Sequence, residues 1–438
     1  MKSFSSSSFA NSQKEALERA LRAVKSDSQA LFTDFQWYLF TGKDTIFFTA
    51  FSKRRFDRDT LKGLVAQMVA LAPQLTHGFA GARPGQPLTE QQIEAIVSAE
   101  EVESFEGYPD KWLSESADIY DHKDMPLFRV LAANLRGGPD AQGRASVVQV
   151  RAAHALLEGS DSALMMRSEL AAHGIMSDKR NKVAASKRVK GAWGAFLMAS
   201  MHLFFAYLLS PPERKTHFRT LALPRDRMRR IAAKFGVRQR SLYFAVVSFA
   251  LFGEAGRRRN KDVIVAKYTM LDTERNAVDD DFFRVRTLDA KFPFTDDFVA
   301  YVRGVDEVMG RIEKQDTTRF QILINSLFAM HRAIHSVAPW LYGPRFWRFA
   351  GTSDIVLTLV PPHRAMGPLT EWLVEPIYVG AFHPSSNVCT FCPGREYMTI
   401  SFSLGKGGID KVDEIMGVVE RAEAMDVIPS GKLSAEAV

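Results

Sequence analysis

The chain reads as an α/β protein of two domains, and three features of the sequence predict this. It has 438 residues with 46% apolar content, enough for a core of the size that usually divides in two. Short β-type runs flank turn-forming segments, and between such runs lie stretches with helical spacing of apolar residues.

Taken in order, Ser12 and Glu15 precede Leu17, Leu21 and Val24, the pattern of a capping box opening an amphipathic helix. The first residues lack the apolar run of a secretory leader, so export is not expected. From Phe56 to Pro73, Leu61, Leu64, Val65, Met68 and Leu71 fall on one helical face and the proline closes it. Leu127–Leu135 and Ser146–Arg151 are strand-like, and the turn formers of 136–144 between them predict a hairpin.

In the second half, Phe218–Pro224 reads as a strand entering a helix over Arg225–Phe235, stopped by Gly236, with another apolar helix from about Ser241 to Phe252. The triplet Arg257 to Arg259 reads as a solvated loop. Asp354–Pro362 holds one more strand. Cys389 and Cys392 are the two cysteines of the chain. They lack the second pair that a tetrahedral zinc site wants, so they are read as reduced thiols and no metal is expected.

Charge is concentrated. Lys179, Arg180, Lys182, Lys187, Arg188 and Lys190 supply six of a formal net charge of +7, and no acidic residue interrupts them. Gly191–Ser210 follows, twenty residues in which His202 is the one side chain that ionises near neutrality. As a helix this segment would measure about 30 Å, the thickness of a bilayer's hydrocarbon core. Spanning, interfacial and buried readings compete. Interfacial attachment is favoured, because a basic flank beside an apolar helix is what anionic lipid surfaces attract. Lys187, Arg188, Lys190, Trp193 and Phe196 would make that attachment. Nucleic-acid binding is not expected, since aromatic residues do not interleave the basic run.

The residue carrying most chemical information is His154. An alternating apolar run, Val147–Arg151, leads into it, and Glu158 and Gly159 follow at fixed spacing. Together with Pro126 and Arg129 at the head of the hairpin, this block resembles the CoA-dependent acyltransferase superfamily of chloramphenicol acetyltransferase and the condensation domains, whose motif is His-His-x-x-x-Asp-Gly. It is most similar to the bacterial wax ester synthase/diacylglycerol acyltransferase branch. Ala153 stands where that family has its first histidine, Glu158 where it has aspartate, and Leu359 where it has an asparagine before Val-Pro. Arg238–Ser241 replaces its Thr-x-Asn-Asp.

The resemblance implies two chloramphenicol-acetyltransferase-like subdomains with mixed sheets and a catalytic tunnel at their interface. The first would cover residues 1–176 and the second 216–438, joined by the basic and apolar segment 177–215. It implies transfer of a fatty acyl group from acyl-CoA to a long-chain alcohol or diacylglycerol, at a cytoplasmic membrane or lipid-droplet surface. No bound cofactor is implied, acyl-CoA being a co-substrate.

His154 would be the general base, an imidazole of ordinary pKa, about 6.5, being mostly neutral at pH 7. Glu158 and Gly159 would shape its loop, with Asp161 a second carboxylate for that role and Arg151 or Arg395 the arginine partner. Thr358 is the candidate for the developing oxyanion. Two other readings stay open: transfer to a smaller or carrier-bound acceptor, and a catalytically inactive relative that binds lipid or a partner.

Overall fold

A computed structural model describes residues 44–71, 73–80, 83–115, 119–120, 126–156, 216–259, 262–271, 285–314, 331, 353–360, 372–382 and 386–426. In the first half these form β1 (Thr45–Ser52), α1 (Arg58–Leu71), β2 (His77–Ala80), β3 (Arg83–Pro87), α2 (Glu90–Glu94), β4 (Val97–Val102), α3 (Asp110–Glu115), β5 (Phe128–Leu135) and β6 (Ser146–Ala153). In the second they form β7 (Thr216–Pro224), α4 (Arg225–Phe235), α5 (Gln239–Arg259), β8 (Val263–Leu271), β9 (Val285–Pro293), α6 (Phe298–Ile312), β10 (Ile355–Leu359), β11 (Leu373–Phe382), β12 (Val388–Pro393), β13 (Tyr397–Gly405), α7 (Lys406–Ile409) and α8 (Glu414–Ala424).

Two mixed sheets organise these elements. The first has the order β11-β1-β6-β5-β4 and the second β7-β13-β12-β10-β8-β9, with a separate β2-β3 ribbon. Parallel pairing occurs between β4 and β5 in the first sheet, and on both sides of β10 in the second. The expected hairpin is β5 and β6, antiparallel from Phe128 opposite Ala152 to Asn134 opposite Ser146. The first sheet takes its edge strand, β11, from the second half of the chain.

β1 and β6 are buried along their whole length, apolar on one face and carrying paired polar groups such as Thr49, Gln149 and Arg151 on the other. Ile46, Phe48, Ala50, Val148, Val150 and Ala152 pack on one face with Leu61, Val65 and Met68 of α1. Phe51, Val147 and Tyr378 lie on the other face with Phe105 and Trp112. Each large side chain of this kind contributes roughly 1.5–3 kcal/mol on burial. Asn134 ties the approach to α1 into the sheet: its side chain accepts from Phe56 N at 2.8 Å and donates to Phe56 O at 2.9 Å.

The second core lies between its sheet and α4, α5, α6 and α8. α6 buries Phe298, Tyr301, Val302, Val305, Val308, Met309 and Ile312, the one-sided spacing of a helix laid on a sheet. The Asp297 carboxylate caps its start, accepting from Val299 N and Ala300 N. α4 stops at Gly236, which takes the left-handed conformation at φ 68°, as its sequence predicts. α5 differs from expectation. It runs to Arg259, so Arg257, Arg258 and Arg259 are helical and not a loop.

The two sheets meet through β11, whose Ile377 carbonyl accepts from the Thr399 hydroxyl on β13. Gly380 sits where they are closest: a methyl there would overlap the Phe47 ring and stand 2.9 Å from Ser401 Cβ. Gly380→Ala is therefore expected to cost about 1–3 kcal/mol by overpacking. Gly405→Ala, which meets no neighbour within 4 Å, should stay within about 0.5 kcal/mol. Chemical denaturation of the two variants against the parent checks this; equal midpoints would contradict the packing described.

Candidate active site

β6 ends at Ala153, and His154 begins the turn that follows. Ala153 is fully buried, and its N–H donates to Leu127 O at 2.8 Å. Ala155 and Leu156 are buried as well, whereas His154 between them is half-buried. The His154 N–H donates to Asp44 O at 2.7 Å, continuing the β1–β6 ladder by one rung. That carbonyl also accepts from Tyr120 Oη at 2.7 Å. Burial pushes the Asp44 carboxyl well above the usual carboxylate range, as expected for an acid taken out of water. Asp44 and Tyr120 had no signal in the sequence: each acts at His154 through a pairing that only the folded sheet creates.

Three residues before the histidine, Arg151 is buried and its Nη2 donates to Trp112 O of α3 at 3.1 Å. The register sets it opposite Arg129 of β5. Burial lowers the Arg129 pKa, the response of a cation losing hydration. Like charges directly opposed across two strands are unfavourable. Arg395 is exposed at the β12–β13 turn, where its backbone N–H donates to Glu375 Oε1.

The row Ala153, Thr45 and Phe382 crosses the first sheet at this end. Phe382 continues across the gap, its ring 5.5 Å from that of Phe218 on β7. The end of β6 that carries His154 is thus an end at which the two lobes touch.

Thr358 lies within β10, half-buried, and the register shows what sequence could not. Thr358 is opposite Thr390 and Thr269, Thr390 is opposite Ser401, and Ser401 is opposite Thr220. One hydroxyl from each of five adjacent strands therefore stands in a row on one face. Neighbouring Leu357, Cys389, Phe391 and Ile400 belong to the second core, so the hydroxyl row faces away from it, on the side where Thr399 reaches β11. Thr390 Oγ1, Ser401 Oγ and Ser403 Oγ, with Gln149 Oε1 of β6, are buried without a hydrogen-bond partner among the described residues. Buried polar atoms of native proteins are rarely left so.

Glu158, Gly159 and Asp161 lie outside the described residues, as do Lys187, Arg188, Lys190, Trp193 and Phe196 and the whole of 179–210. Among the described residues no helix is long and apolar enough to cross a membrane. Cys389 and Cys392 are buried thiols on β12. Burial pushes both upward, Cys392 to about 12, which disfavours the reactive thiolate.

Two mixed sheets and an edge strand exchanged into the first of them define a two-lobed α/β architecture. The chain has the fold of the CoA-dependent acyltransferases and condensation domains, and solved structures agree along nearly its whole length. The first condensation domain of the CDA synthetase aligns with TM-score 0.53 at 13% identity, over 95% of this chain and 97% of its own. Trichothecene 15-O-acetyltransferase from Fusarium sporotrichioides aligns with TM-score 0.53 at 9% identity, over 91% and 95%. The wax ester synthase/diacylglycerol acyltransferase from Marinobacter aquaeolei VT8 aligns with TM-score 0.50 at 12% identity, over 87% and 92%. No protein-family model and no curated protein matches the sequence.

Removing the Tyr120 hydroxyl tests the local geometry. Tyr120→Phe leaves the Asp44 carbonyl with the His154 amide as its remaining described donor, and a loss of about 0.5–1.5 kcal/mol is expected. Urea unfolding monitored by tryptophan fluorescence reads the change; a variant as stable as the parent would show that this bond contributes nothing.

Proposed function

We propose that the protein is an acyl-CoA-dependent O-acyltransferase that moves a fatty acyl group onto a long-chain alcohol or diacylglycerol, with His154 as general base. One observation carries the reading: His154 alone is half-exposed among buried neighbours, at a strand end beside the junction of the lobes.

In the proposed step the imidazole takes the proton of the acceptor hydroxyl as its oxygen attacks the thioester carbonyl. The tetrahedral intermediate collapses, the C–S bond breaks, and the CoA sulfur leaves with the proton that the imidazolium returns. Base catalysis of this kind contributes typically 10²- to 10⁴-fold. Holding two substrates in one seam and stabilising the oxyanion supply the rest. Thr358 and the hydroxyls in its row are the donors offered for the oxyanion. Arg151 with Arg129 is the seat offered for Glu158, whose loop also includes Gly159 and Asp161. Lys187, Arg188, Lys190, Trp193 and Phe196 are proposed to attach the enzyme peripherally to an anionic membrane or lipid-droplet surface in the cytoplasm.

A second reading, acylation of a smaller or carrier-bound acceptor, draws support from the likeness to a condensation domain and an acetyltransferase. Thiol release from long-chain acyl-CoA, with hexadecanol, diacylglycerol or a short alcohol offered in turn, separates the two. His154→Ala should lower turnover by at least about 10²-fold while the protein stays folded. Unchanged turnover in that variant would remove His154 as the base. Absence of turnover in the parent, with lipid binding intact in both, would favour a non-catalytic binding protein.

A further inference from the structure

α3 of the first lobe rests on β7, the edge strand of the second sheet, and the contact is polar. Asp110 Oδ1 accepts from Thr220 Oγ1 at 2.7 Å, and Asp110 Oδ2 lies 3.7 Å from Arg219 Nη1. Thr220 on the second sheet is thus bonded to a helix of the first lobe. A cleft of about 480 Å³ opens beside the contact.

Thr220 bonds the carboxylate through its hydroxyl and its backbone, but the cationic compensation is partial. Arg219 is shared, its Nη2 standing 3.2 Å from Asp413 Oδ2, and 3.7 Å is long for a hydrogen bond. Lys111, next to Asp110, places its ammonium 5.3 Å over the Tyr108 ring instead. Asp413 and Asp410 add negative charge from the far wall, and His217 completes the cleft.

We propose that Asp110 is a proton-sensitive clasp between the two lobes, tight when its carboxyl is neutral and looser when the carboxyl is charged. The side chain is 21% exposed, and burial, foremost, raises its pKa from 3.8 to about 6. An acid whose pKa is higher in the closed form takes up a proton on closing. The closed junction is therefore fully favoured below about pH 4 and loses that advantage as pH rises through 6. Looseness at this contact has a route to His154, since Arg151 holds the Trp112 carbonyl of the same helix. The clasp stands whether or not the acyl-transfer reading does.

Hydrogen exchange of the full chain tests it, following peptides that cover 106–115 and 216–224 from pH 4.5 to 7 after correction for intrinsic rates. In the parent, the opening equilibrium should rise on the order of tenfold across this interval. Asp110→Asn keeps an acceptor for Thr220 without the charge and should stay protected and flat. His217→Gln should keep the parental rise. Arg219→Gln, which removes the counter-charge, should move the levelling-off of the rise to higher pH. A parent without the rise, an Asp110→Asn variant that keeps it, a His217→Gln variant that loses it, or an Arg219→Gln variant without the shift would overturn the proposal.

Discussion

Strand β11 must satisfy two sheets at once, and the rest of the architecture depends on its doing so. Along its edge it pairs antiparallel with β1, from Thr45 opposite Phe382 to Ser52 opposite Leu373. Across its face it lies against β13, where only a hydrogen fits at residue 380 between Phe47 and Ser401. Neither sheet can move far without breaking one of these contacts. The pairing also joins residues separated by most of the chain, which makes closure entropically expensive and slow to form. A strand held on both sides fixes the spacing of the lobes to within a side chain, and any chemistry between them inherits that spacing.

The two faces of the second sheet make opposite use of burial. Phe391, Phe402, Ile400 and Leu357 pack into one core, where apolar area converts to stability at roughly 25 cal/mol per Å². On the other face Thr358, Thr390 and Ser401 occupy positions at which valine or isoleucine would have packed as well. Each buried oxygen without a partner costs on the order of 1–3 kcal/mol, so Thr390 and Ser401 work against stability. The same reasoning applies to Gln149, whose Nε2 reaches Thr49 while its Oε1 has no such partner.

What the sequence made legible was local. The period of α1, the hairpin of β5 and β6, the stop at Gly236 and the strand at β7 are all encoded in contiguous stretches of sequence, and all appear where their residues predict. What it hid was pairing at a distance. The run Leu373–Phe382 contains Pro376, which blurs its strand pattern, and nothing nearby says that its partner is β1. The alignment of Thr220, Ser401, Thr390, Thr358 and Thr269 exists only once five strands are set in register. α5 outran its expected end because the apolar rhythm stops near Phe252, whereas Glu254, Ala255 and the arginines favour helix and continue it. The bonds of the His154 amide to Asp44 O and of Tyr120 to the same carbonyl arise only once the sheet is formed.

The departure at residue 153 looks different in three dimensions than in a motif. Ala153 is the last ladder residue of β6, fully buried, with its amide bonded to Leu127 and its methyl in the first core. A side chain there meets packed neighbours, and at 0% exposure there is no room for an imidazole unless that core is rebuilt. Its substitution is thus a matter of packing beneath the turn, whereas residue 154, one step further, is where the chain leaves the ladder and gains access to solvent.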